Sequence, residues 1–365
     1  MTKKTIITEN KQLPVSFLAI DQYVQTNIVE PVERKIKDKS FIIWGENNDY
    51  PDYIEDLYQN VSTLHSIVDG LADYVCGSEI NTQYAPFEEK VNRQGDTIQD
   101  IIKLVAKDLA KYNGFALNII KNKLGGVAEI NYLDFKKVRS NEDNTKFYYA
   151  DDWAKSFGRV KYVELPKFDK EARDVSTVFY YKNDRNRVYP TPMYAAATVA
   201  CEIEKQMNNY HLNNIYNAFN SQYIVNFNSG KPSDELKEAI EQEFYEKFTG
   251  PENAGRPMLS FNNNKENETT VTKIDTDYFI DKYNTLAART QQEIFTAFRC
   301  TPMLFGIDQQ KTGFNSNEYC GAFRLFNKTV IEPMQNVIRN SFDKIIGMKN
   351  SILISPFEIN FDEAE

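Results

Sequence analysis

FRCTPMLFGIDQQKTGFNSNEYCGAF, residues 298–323, decides how the rest of the chain is organised. An amphipathic helix runs into it, with Phe279, Tyr283, Leu286, Ile294 and Phe298 on one side. Thr301-Pro302 stops that helix, because Pro302 has no N–H and disfavours helical geometry in the residue before it. Gly306 and Gly313 let the next segment bend. Between Cys300 and Phe323 the only charges are Asp308, Lys311 and Glu318. A second helix begins near Asn317 and carries Tyr319, Phe323, Phe326, Val330, Met334, Val337, Ile338, Phe342 and Ile345. Its run to Ile346 would span roughly 45 Å at helical rise, and Pro333 predicts a bend inside it. A soft, nearly uncharged loop therefore joins two of the longest helices.

Upstream, helical spacing returns after Pro192, through Ile203, Met207 and Tyr210, then Leu212, Tyr216, Phe219 and Tyr223. From Gln206 to Gly230 there is no Asp, Glu, Lys or Arg, although 26% of the chain is charged. Asparagines stand at 208, 209, 213, 214, 217 and 220 instead. Asn is a mediocre helix former, so propensity did not select it, and a solvated helix face is normally charged. Burial within one chain is one reading. The favoured one is a helix packed against copies of itself, where neutral amides pair without repelling. Residues 231–276 form a charged insert between the two helices. PSDELKEAIEQEFYEKFTG starts as a capped helix behind Ser233, and GPENAGRPMLSF, the turn NNNKENET and the strand-like TVTKI follow.

Residues 1–40 read as an arm with little periodicity, ending in ERKIKDK. Residues 41–60 are dense in aromatics and turn formers. Leu64, Ile67, Val68, Leu71 and Val75 predict a helix ended by Gly77, and Ile98, Ile101, Ile102, Val105, Leu109 and Tyr112 another with Gly114 as its C-terminal cap. FALNIIK and VAEINYL around NKLGG read as a hairpin, and KFYYA, RVKYVEL and STVFYYK continue as short strands. The fold class is α+β, with helices first in residues 41–190 and an antiparallel sheet after. SILISPFEINFDEAE reads as a last strand with an acidic end.

This order of parts resembles the portal proteins of tailed bacteriophages over about residues 41–348. The resemblance rests on LHSIVDGLADYVCGSEI, on QDIIKLVAKDLAKYNGFALNIIKNKLGGVAEINYLDFKKVR, on PTPMYAAATVACEIEK and NAGRPMLSF, and most specifically on QQEIFTAFRCTPMLFGI, a polar loop, then NEYCGAFRLFNKTVIEPMQNVI. It implies an N-terminal arm (1–40), a wing (41–190), a first stem helix (191–222), a clip (223–276), a second stem helix (277–300), a tunnel loop (301–316), a long kinked helix returning to the wing (317–348) and a short tail (349–365). It implies a ring, twelve-fold in the family, with Asn209, Asn213, Tyr216, Asn217 and Asn220 between subunits. Gln309, Gln310, Lys311, Thr312, Phe314 and Asn315 would face double-stranded DNA in the channel. Lys231, Glu235, Lys247 and Arg256 would meet the terminase large subunit, and Pro302 and Pro333 would set the break and the kink. The resemblance also implies a capsid or scaffolding protein and a head–tail adaptor as partners, in the virion and, during assembly, the host cytoplasm. Only about 17 residues follow Met348, so no helical crown is expected.

Composition agrees with a conduit. The net charge is −9, so twelve copies would carry −108. Tight binding by counterion release needs a basic face, and weak, exchangeable amide contacts suit sliding. The basic run Arg34, Lys35, Lys37 and Lys39 reads as a solvated arm.

No catalytic residue, metal site or cofactor is expected. His65 and His211 have no partners at ligand or triad spacing. Cys76, Cys201, Cys300 and Cys320 form no CxxC pair and read as reduced thiols. Gly250 to Gly255 lacks the Lys-Ser/Thr of a phosphate loop. No apolar run approaches the roughly 20 residues needed to cross a bilayer, and the start of the chain reads as no secretion signal. Two alternatives remain. One is a metal-dependent nuclease using Glu46, Asp49, Asp52, Glu55 and Asp56, against the plainer reading of a solvated acidic face. The other is a self-assembling ring scaffold with no DNA in its channel.

Overall fold

The structure is a computed structural model that describes residues 28–37, 39–153, 160–172, 175–216, 224–227, 258–261, 277–307 and 316–357. The chain enters through β1 (Glu33–Lys35), antiparallel to β2 (Ile42–Trp44). The end of the expected arm is thus docked. The Glu33 carboxylate accepts from the backbone N–H groups of Val188 and Tyr189 at 3.1 and 2.9 Å.

Two helices follow, α1 (Tyr50–Asn60) and α2 (Ser62–Cys76). The sequence reading missed β2 and α1, because turn formers dominate the segment. In the structure they fill only the corner between the two elements. Gly45 and Asn48 take positive φ (91° and 63°), and Asn48 Oδ1 accepts the Trp44 N–H at 3.1 Å. Pro51 then sits in the first turn of α1, where its missing N–H costs nothing. Behind it Tyr53, Ile54, Leu57 and Tyr58 are buried at helical spacing.

β3 (Glu79–Thr82) leads to α3 (Ile98–Tyr112), whose N-terminus is closed by a capping box between Thr97 and Asp100. Its C-terminal cap is Asn113 (φ 62°), not Gly114 as expected. Gly114 already belongs to β4 (Gly114–Lys121), the centre of a three-stranded antiparallel sheet with β5 (Val127–Leu133) and β9 (Ser176–Lys182). A second antiparallel sheet, β6 (Val138–Ser140), β7 (Lys146–Tyr149) and β8 (Val163–Pro166), lies between them in sequence. Phe41, Ile43, Tyr148, Ala150 and Trp153 make a small separate core beside it.

The helical half begins with α4 (Thr198–Tyr216) and returns through α5 (Asp277–Ala297). Between them β10 (Ile224–Phe227) pairs in parallel with β11 (Met258–Phe261). The 30 residues between these strands exceed the dozen or so that a parallel crossover needs. The chain closes with α6 (Ser316–Phe326), a π-helical turn (Asn327–Ile331), α7 (Glu332–Ile346) and β12 (Ile352–Ser355). The expected single helix is therefore split one residue before Pro333. Pro333 cannot donate, and its ring would strike the Thr329 carbonyl in a regular helix. The wider turn, in which Glu332 N–H reaches Asn327 O, makes the room. β12 then pairs antiparallel with β3, so the end of the described chain lies beside its early helices. One large core joins the early helices to the closing ones, from Leu64 and Leu71 of α2 through Val105 of α3 to Phe326, Ile338 and Phe342.

Candidate self-association helices and loop roots

The base of α4 is tied to α1 and α2 by polar contacts. Glu204 Oε1 accepts from Ser62 Oγ (2.9 Å) and the Thr63 N–H (3.1 Å), so it caps α2 from another element. Val61, the residue before α2, offers no side-chain cap, and a carboxylate is favoured at a helix N-terminus. Lys205 pairs with Asp56 of α1. Beyond Lys205 the charge-free run begins, and Asn208, Asn209, Tyr210, His211 and Leu212 are all exposed. Tyr210 is 58% and Leu212 48% accessible on this charge-free part of the helix.

α5 runs antiparallel to α4. Tyr194, just before α4, stacks on Phe298 at 5.0 Å, and His211 meets Tyr283 edge-on at 4.3 Å. At one end of the pair Tyr194, Ile294, Phe295 and Phe298 are buried; towards the other Leu286 is 41% exposed. The burial alternative for the asparagine run thus fails for Asn208 and Asn209 within a single chain. Asn213 and Tyr216 belong to the same helix. Asn217, Asn220, Lys231, Glu235, Lys247 and Arg256 lie outside the described residues.

Residues 295–307 contain two successive closures of one type. α5 ends with Arg299 at φ 57°, Arg299 N–H on Thr296 O and Cys300 N–H on Phe295 O. Thr301 is extended, as the residue before proline should be. Pro302 then opens a short 3₁₀ turn to Phe305. It closes the same way, with Gly306 at φ 78°, Gly306 N–H on Met303 O and Ile307 N–H on Pro302 O. Gln309, Gln310, Lys311, Thr312, Phe314 and Asn315 lie outside the described residues, and α6 begins at Ser316.

The acidic cluster is dispersed. Asp52 pairs with Lys136 at 2.8 Å, Glu55 with Lys111 at 2.7 Å and Asp56 with Lys205, three lysines on three different elements. Burial pushes the Glu55 carboxyl up, but hydrogen bonds from Gln59 and Lys111 outweigh it and hold it below the usual range. Carboxylates already neutralised singly by lysines are poor shared ligands for a divalent ion, and among the described residues no group of His, Cys, Asp or Glu could hold one. Burial pushes the Cys76 thiol up to about 11 and those of Cys201 and Cys300 to about 12, which keeps them unreactive. His65 stacks on Tyr58 and approaches Asp69 at 3.5 Å, a structural placement. No helix among the described residues is long and apolar enough to cross a membrane.

Residues 79–363 match the family described as phage portal protein. The chain belongs to that family. Portals are structural head-to-tail connectors, and the mixed helix and strand architecture found here agrees with their fold. A neck chain of the native gene transfer agent particle, computed with C12 symmetry, superposes with a TM-score of 0.52 at 18% identity, over 86% of this portal and 85% of that chain. A neck chain of the empty particle, computed with C6 symmetry, gives 0.53 at 17% identity over 87% and 85%. At such identities the likeness is one of fold. An uncharacterised protein of Rickettsia bellii is 29% identical over 170 residues, 46% of this chain, and the match spans 42% of the relative's length.

Two positions that carry the local geometry were missed from sequence. Glu204 looked like one acidic residue in a mixed helix, and its capping role needs Ser62, 142 positions away. Tyr74 stood on α2 beside the predicted core stripe, and its partners all come from the last fifth of the chain.

Proposed function

We propose that this portal chain assembles through α4 and α5 into a closed ring, twelve-fold on the family's pattern, at a capsid vertex. Double-stranded DNA passes through the ring during packaging and ejection. Residues 308–315 face the channel, residues 223–276 project to meet the terminase large subunit, and a head–tail adaptor and the capsid or scaffolding protein dock on the assembled ring. The observation that carries this reading is the exposed, uncharged, amide-rich surface of α4 beside its antiparallel partner. A solitary protein would place charges on such a face. Copies packed around an axis would bury it without like-charge repulsion.

Electron microscopy of the purified chain tests the ring: closed rings of any nearby size are expected, and monomers and dimers under all assembly conditions would sink it. Deleting residues 308–315 then separates a conduit from a plain scaffold. A conduit keeps its rings and loses DNA loading, whereas a scaffold keeps both ring formation and loading unchanged.

A further inference from the structure

We propose that Tyr74 of α2 is a positioning residue that ties together both roots of the 308–315 segment, so that their spacing is set from the core. Its hydroxyl donates to Leu304 O at 2.7 Å, in the 3₁₀ turn before the segment. Tyr319, on α6 after the segment, lies beside the same phenol and acts on its ionisation. Its ring meets Phe305 of the first root edge-on at 6.0 Å and Phe323 of the second at 5.7 Å. Phe357, beyond β12, lies against it at 5.3 Å. One side chain thus touches the chain before the segment, the chain after it and the C-terminal stretch.

Gly70 stands one turn earlier on the same face of α2. A Cβ there would lie 2.8 Å from the Phe305 ring, so the turn rests directly on the helix backbone. Burial, then Tyr319, holds the Tyr74 phenol protonated, which keeps it a donor. α2 itself is anchored at its other end by Glu204 of α4. The roots are therefore referenced to the helix that also seats the self-association pair. What the held roots do for DNA rests on the portal reading; the tie itself does not.

Hydrogen exchange on the purified full-length chain tests the tie. Tyr74→Phe keeps the ring and removes the hydroxyl. Amides in 300–307 and 316–326 should then exchange about five-fold faster together, the factor that one net hydrogen bond is worth, while α3 and β4 stay unchanged. Tyr319→Phe should loosen only the second root and Gly70→Ala mainly the first. Unchanged exchange in Tyr74→Phe, or a rise at one root alone, overturns the proposal. In assembled particles, Tyr74→Phe rings should form normally and load DNA several-fold less well. Normal loading despite raised exchange would overturn the positioning role. Failure of the unsubstituted chain to form rings would instead overturn the proposed ring and conduit and leave the exchange result standing.

Discussion

At the scale of single residues, the most consequential side chain for acid–base behaviour is one that periodicity never singled out. Asp108 lies on α3, buried, and accepts from the Tyr132 hydroxyl at 2.8 Å. Burial pushes its carboxyl up to about 8, against the opposing effects of the Lys111 charge and the Tyr132 hydrogen bond. An unfolded aspartate titrates near 4. Between about pH 4 and pH 8 the native chain therefore holds a proton that the unfolded chain has released, and stability falls as pH rises, by on the order of 1 kcal/mol per unit. Asp108→Asn should flatten that slope, read as the difference in melting temperature between pH 5 and pH 8. An undiminished difference would remove Asp108 as its source. Glu55 acts in the opposite sense, because a lowered carboxyl loses its contribution only as pH falls through the acid range. The pattern of apolar positions on α3 was readable, but the ionisation of Asp108 depends on Tyr132, which arrives on another element.

At the scale of elements, hairpins and helices with clean periods were legible, and their ends were not. The spacing in α3 and the Gly turn between β4 and β5 announce those elements locally. The junction between them was misassigned, because both Asn and Gly accept positive φ and only packing distinguishes them. Asn113 takes the left-handed position, and Gly114 is held for a different reason. A Cβ there would sit 2.8 Å from Tyr181 O and from the Pro190 ring. Gly114→Ala should therefore cost about 1–3 kcal/mol, as overpacking does, seen as a fall of several degrees in the melting temperature. A loss below about 0.5 kcal/mol would mean that the β4–β9 edge yields freely. The π turn before Pro333 follows the same logic. Proline announced a bend, but whether the helix kinks, breaks or widens depends on what packs against it. Val330 and Ile331 are buried while Lys328 and Thr329 are exposed, so the widened turn keeps its apolar side in the core.

At the scale of the whole molecule, the portal reading makes a demand on the exposed face of α4. Asn208→Glu together with Asn209→Glu adds two like charges per copy at positions exposed in the single chain. Surface changes of this kind shift stability by no more than about 0.5 kcal/mol, so the single subunit should melt almost as before. Ring yield, followed by light scattering after size exclusion, should fall at low salt and recover near 1 M, where screening shortens the Debye length to about 3 Å. Undiminished rings at low salt would place the subunit contact elsewhere.

The linear chain determined the sequence of parts by itself: helices by period, a hairpin by its turn, a break and a bend by two prolines, and an uncharged helix where a charged one is normal. These are local properties, set by backbone sterics and by which side chains share a face. Tertiary structure alone decided that Glu204 caps α2, that β12 returns to β3, that Asp52, Glu55 and Asp56 are shared out among separate lysines, and that Tyr74 gathers both roots of one loop. Each of those joins residues more than 50 positions apart, and no local pattern specifies which distant group will arrive to satisfy a buried charge or an open helix end.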